Sequence, residues 1–223
     1  MTNDYTQLSK NSAKDKMELI RSNLKGMLTQ NQYQLTKAEL VYFQRSLHLQ
    51  HRIPIFYGIP KVHKTPISLR PVVSTTNSLL AIFSTWLDHK MKDLLPLVKS
   101  YIKNSAAVIN DLNHLILPKN ARLFTADATS MYTNIDRNLG INSISDFLHA
   151  NAEQLPENFP QHLFLDVLRI VMQNNVLYWL QKTGTTMGTP SACAYATLSY
   201  GHYENNCILT NYQENLFYYR RYI

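Results

Sequence analysis

The chain has 223 residues, of which 45% are apolar, 11% aromatic and 17% charged, a balance that excludes a disordered protein and allows one good core, or one domain and part of another. Lys and Arg exceed Asp and Glu by 22 to 15, so the net charge of +7 favours a polyanionic partner such as nucleic acid, although charge alone also fits a merely basic soluble protein. Two cysteines, Cys193 and Cys207, are too few for a disulfide framework or a zinc site, the N-terminal segment lacks the apolar core of a secretory signal, and no apolar run reaches the roughly 18 residues of a membrane span. A reducing compartment, with no secretion and no membrane embedding, is therefore expected.

In chain order, Met17, Ile20, Leu24 and Met27 recur at helical spacing between charged residues, which predicts an amphipathic helix over 13–29. Thr36 and Glu39 form a T-x-x-E capping box flanked by Leu35 and Leu40, so a second helix is expected through Leu40, Phe43 and Leu47. Both helices read as an accessory N-terminal extension, residues 1–50. From Ile53 to Ser74 the pattern changes to short β-branched and aromatic runs broken by Gly58, Pro60, Pro66 and Pro71, which predicts two strands joined by a basic loop. Apolar stripes then mark a helix through Leu79, Leu80, Phe83, Trp86, Leu87 and Met91, ending before Pro96, and another after Ser105 with Val108, Ile109, Leu112 and Leu115. Both stripes are expected in the core.

"RLFTADATSMYTNI" reads as a strand, Leu123 to Asp127, breaking into a polar turn. Helices are expected near 138–150 and 160–174, then a strand and a Gly-containing loop in "NVLYWLQKTGTTMG", a small-residue helix with Pro190 near its start, and a final strand.

Three stretches carry candidate chemistry. Asp127 closes an apolar run, where a carboxylate can bind a hard divalent cation, yet on spacing alone it reads as a turn or cap residue in preference to a metal ligand. "IPKVHKTPISLRPVVS" offers Lys61, His63, Lys64 and Arg70 on a stiff hairpin that suits a triphosphate, or alternatively a solvated charged loop. "QKTGTTMGTPSA" sets Gln181, Gly184, Gly188 and Pro190 ahead of a helix, so backbone can approach a flat ligand or a nucleic-acid strand, but it is not a Walker loop.

Taken in order, "GIPKVHK" with "RPVVS", "DATSMYTNI" and "QKTGTTMGTP" resemble the motifs of the reverse transcriptases of Penelope-like retroelements, relatives of the telomerase catalytic subunit. The resemblance runs over about residues 50–223 and implies an α+β, right-hand polymerase fingers and partial palm, with residues 51–223 as an incomplete reverse transcriptase domain. It implies Asp127 as the first metal-binding aspartate and Tyr132 as the side chain beneath the incoming sugar. Lys61 and Arg70, with Lys64 as helper, would hold the triphosphate, and Gln181 would contact the nucleotide; Gly184, Met187, Gly188 and Pro190 would form the template and primer loop. Two Mg2+ ions, an RNA template, a DNA primer, deoxynucleoside triphosphates and a nuclear location follow from the same resemblance.

In this family a strand reads Tyr-x-Asp-Asp, and Tyr222-Ile223 supplies its first two positions. The expectation is a truncated chain, without thumb or GIY-YIG endonuclease and inactive by itself. Two smaller departures, "PSAC" in place of Pro-x-Ala-Pro and a short "NNVLYWLQ", suggest decay. The alternative is a non-catalytic nucleic-acid-binding remnant of such a polymerase; a domesticated protein-interaction fragment has no feature of its own here.

Overall fold

Serine and threonine caps start the two N-terminal helices. The Ser9 hydroxyl accepts the Ser12 amide at 3.1 Å and opens α1 (Lys10–Asn31), which buries Ala13, Met17, Ile20, Leu24, Met27 and Leu28 along one stripe. The expected capping box opens α2 (Lys37–His48): Thr36 Oγ1 accepts the Glu39 amide at 3.2 Å and Glu39 Oε2 accepts the Thr36 amide at 2.9 Å. The same carboxylate ties α2 to α3 (Leu79–Leu94), because Glu39 Oε1 accepts the Trp86 indole at 2.8 Å and pairs with Lys90 at 3.0 Å. Across this junction the Phe43 and Phe83 rings stack with centroids 4.6 Å apart, and Trp86 meets Phe43 edge-on at 5.6 Å.

The computed structural model describes residues 5–63, 65–128, 131–174, 179–181 and 184–222. Its architecture is mixed α and β. The helices after α3 are α4 (Ser105–Asn113), α5 (Met131–Asn134), α6 (Arg137–Ala150), α7 (Gln161–Gln173) and α8 (Ala192–Tyr203), the last continuing through a π-turn, Glu204–Ile208, into the short α9 (Leu209–Asn211). Of the strands, β1 (Tyr5–Gln7) pairs antiparallel with β4 (Trp179–Gln181), and β2 (Ile55–Lys61) pairs antiparallel with β3 (Ser68–Ser74) in the expected hairpin. Contributions from α1, α2, α3, α6, α7 and α8 form one hydrophobic cluster, so the apolar core is continuous across residue 50. The small residues of α8 let it sit deep in this cluster, with Tyr195 fully buried.

Three expected features come out otherwise. Leu123–Asp127 is not a strand: among the described residues no strand lies beside it, and an unpaired strand leaves its backbone donors and acceptors to solvent. Leu123 and Phe124 are accordingly 93% and 85% exposed. The stripe of α4 is not core, since Ile109 and Leu112 remain exposed; periodicity identifies an apolar face but does not provide its partner. Among the described residues the terminal run is not a ladder strand either, and its β-pairing is one isolated bridge between Tyr101 and Arg221.

Side chains hold that run in place instead. Buried Glu204 accepts Arg221 Nε at 2.6 Å, the Tyr219 hydroxyl at 2.8 Å and the Ser100 hydroxyl at 2.5 Å, while Arg221 Nη2 donates to the Thr197 carbonyl at 3.0 Å. Arg220 lies 4.5 Å from the Tyr218 ring centroid and pairs with Asp111 of α4 at 3.1 Å.

Candidate functional site

The glycine loop, residues 184–190, is the piece of backbone on which the three motif stretches meet. At one end Gly184 takes φ +71°, donates its amide to the Ile135 carbonyl at 3.1 Å, and is followed by Thr185, whose amide reaches the Tyr132 carbonyl at 2.7 Å. A Cβ on Gly184 would stand 2.6 Å from Thr133 Cα and 2.7 Å from the Tyr132 carbonyl oxygen, so this approach admits only glycine. At the other end Gly188 takes φ +102°, and its Cβ would fall 2.3 Å from the Val73 carbonyl oxygen. Here the Val73 amide donates to the Met187 carbonyl at 2.9 Å, and the Thr75 hydroxyl to the Gly188 carbonyl at 3.0 Å. The loop thus ties the base of the hairpin to the turn that follows Asp127.

Arg137, at the first turn of α6, holds the loop from beneath: Nε donates to the Gly184 carbonyl at 3.0 Å and Nη2 to the Gln181 carbonyl at 2.5 Å. Gln181 itself is 2% exposed, with its side-chain oxygen accepting the Thr186 hydroxyl at 2.6 Å. Its side chain is therefore turned into the protein and positions the loop. Met187 is half-buried, and Gly188 and Pro190 are exposed on the outer side. Arg137, Thr185 and Thr186 were not singled out by sequence reasoning, because nothing local in their neighbourhood announces a contact with a distant loop.

Tyr132 is half-buried on α5, its hydroxyl 3.0 Å from the sulfur of exposed Cys193 in α8. Burial first, and then the hydrogen bond and charge of Cys193, push the phenol above its ordinary pKa, so it stays protonated at neutral pH. Asp127 is exposed in the irregular stretch before α5 and has no hydrogen bond or ion pair among the described residues. The chain between them limits their separation: five residues of backbone span at most about 18 Å.

The hairpin register puts Lys61 and Arg70 on one face. Ile59 lies opposite Arg70 and Lys61 opposite Ser68, so the alternation of a strand sends the side chains of positions 59, 61, 68 and 70 to the same side. Neither Lys61 nor Arg70 has an ion-pair partner among the described residues, and both flank a half-exposed apolar surface that includes Tyr57 and Ile59. Lys64 lies outside the described residues. Among the described residues no group of three or more His, Cys, Asp or Glu side chains gathers as a metal site. No helix in the described residues is long and apolar enough to cross a membrane.

Against models of known protein families, curated proteins and solved structures, the chain finds no match in any of the three.

Proposed function

We propose that this chain carries the fingers and part of the palm of an RNA-directed DNA polymerase of the Penelope-like kind, working on an RNA template, a DNA primer and deoxynucleoside triphosphates. The observation that carries the reading is the glycine loop, which contacts Val73 of the first motif stretch and Tyr132 of the second. In sequence the three stretches are far apart, and a polymerase site needs them together. On this reading Lys61 and Arg70, on one hairpin face and without an ion-pair partner among the described residues, would neutralise the triphosphate, and Asp127 would be the carboxylate that holds a Mg2+ ion. When bound, the ion supplies charge stabilisation to the displaced phosphate. Tyr132 stands beneath the sugar, where its bulk rejects a 2'-hydroxyl, and its contact with Cys193 fixes the ring. A nuclear location goes with this reading.

The test is a binding experiment on the chain itself. With an RNA template and a recessed DNA primer in Mg2+, the deoxynucleotide complementary to the templating base is expected to stabilise the complex, and the three others are not. Asp127→Ala and Lys61→Ala should each abolish that selectivity. Four nucleotides acting alike, with or without Mg2+, would overturn the reading.

That last outcome would instead fit a non-catalytic nucleic-acid-binding remnant, for which the common hairpin face of Lys61 and Arg70 would supply the phosphate contacts without a metal. Its binding would fall with salt regardless of Mg2+, since release of counterions from phosphates drives it.

A further inference from the structure

Beneath the glycine loop lies a small cavity, about 30 Å³ in volume, walled mainly by apolar side chains of α1, β3, α3 and α7, including Met17, Ile20, Leu79 and Val171. Four hydroxyl side chains also line it. Two are satisfied: Thr75 donates to the Gly188 carbonyl and Thr186 to Gln181. The other two, Ser78 and Thr189, have buried hydroxyl oxygens with no hydrogen-bond partner. Ser78 is 2% exposed and occupies the N-cap of α3, yet makes no side-chain cap bond to its helix. An N-cap serine ordinarily accepts a helix amide, and a buried hydroxyl left unpaired is costly, so two such groups lining one cavity point to a ligand within it.

Volume decides what kind of ligand. One water needs about 10–15 Å³ of such space, whereas a cavity that takes benzene measures about 150 Å³. The space at Ser78 and Thr189 is therefore right for one or two waters and too small for an organic group.

We propose that water bound in this cavity joins Ser78 Oγ to Thr189 Oγ1 and forms a structural joint between the start of α3 and the glycine loop. The joint is independent of whether the chain handles nucleotides, because it involves only the packing of the loop on the helical body.

The test combines Ser78→Ala, Thr189→Val and the double variant with a crystal structure of the unaltered chain at a resolution that shows solvent. A bridging water is expected in density within hydrogen-bonding distance of both hydroxyls. Each single variant should lower Tm by about 2–4 °C, and the double by clearly less than the sum, because the second substitution removes a partner already lost. Amide exchange at Val73, which donates to the loop at Met187, should quicken in each variant. A dry cavity in the crystal overturns the proposal, as do single variants that leave Tm unchanged or raise it, the result expected when an unpaired hydroxyl is simply removed.

Discussion

The Val73 amide donates to the Met187 carbonyl at 2.9 Å, joining the end of a basic hairpin to a loop more than a hundred residues later in the chain. Val73 is the penultimate residue of β3, at the end of the hairpin away from the Lys61–Ser68 pair. Arg137 fixes the other side of the loop through Gly184 and Gln181. Hairpin, loop and α6 are thus one mechanical unit.

Replacing Gly188 should break that unit at a defined place. In Gly188→Ala the new Cβ meets the Val73 carbonyl oxygen at 2.3 Å while the backbone stays in a region that side chains disfavour. A loss of about 1–3 kcal/mol is expected, with faster exchange of the Val73 amide, read by thermal melting and hydrogen exchange. An unchanged Val73 amide would mean that the loop does not dock on β3.

The terminal aromatic and basic run makes a second prediction, through Glu204. Its buried carboxylate receives Ser100, Tyr219 and Arg221, and Arg221 is itself largely buried over the Tyr200 ring. Glu204→Gln leaves that guanidinium without its counter-charge and should cost about 2–4 kcal/mol in denaturant unfolding. Adding Arg221→Gln should recover part of the loss, since the uncompensated charge is then gone. Full additivity of the two would show that they do not act as a pair.

What the sequence made legible follows the range of the interaction. The capping box at Thr36 and Glu39, the buried stripe of α1 and the β2–β3 hairpin are local patterns, and all are present. Leu123–Asp127 has the composition of a strand, but strand formation depends on a neighbour elsewhere in the chain, which a window of residues does not contain. The stripe through Ile109 and Leu112 fails for the same reason. Motif order placed the glycine loop near the other two stretches through a resemblance; the contacts at Val73, Tyr132 and Arg137 are long-range, and no spacing rule reaches them. Gln181 was legible as important but not as buried, because its partner Thr186 becomes its neighbour only once the loop has turned.

Acid should weaken the α2–α3 junction. Burial raises the Glu39 carboxyl, but the Thr36 amide, the Trp86 indole, Lys90 and the Thr36 hydroxyl outweigh it and hold the pKa at about 2, against 4.5 for the unperturbed group. A carboxyl whose folded pKa is depressed contributes stability that is fully present above the unfolded value and is lost as pH falls through the folded one. The window is therefore about pH 4.5 down to 2, over which the contribution of Glu39, of order 2 kcal/mol, should disappear. Glu39→Gln should flatten that part of the stability profile, measured by urea unfolding across the window. A profile as steep in the variant as in the parent would assign the acid sensitivity elsewhere.

The common face of Lys61 and Arg70 separates phosphate contact from incidental charge. If both side chains rest on phosphates, Lys61→Ala and Arg70→Ala should each weaken binding of an RNA–DNA duplex and each reduce the slope of log affinity against log salt by about one. If they hold only the incoming triphosphate, duplex affinity and its salt slope should stay near the parent values, and the loss should appear in the selective stabilisation by the complementary nucleotide. Arg70→Lys sharpens the comparison, since it keeps the charge and removes the planar fork that grips two phosphate oxygens together. Nucleotide selectivity that falls in Arg70→Lys while the duplex salt slope remains would locate Arg70 on the triphosphate, facing the same side as Lys61 by the register of the hairpin.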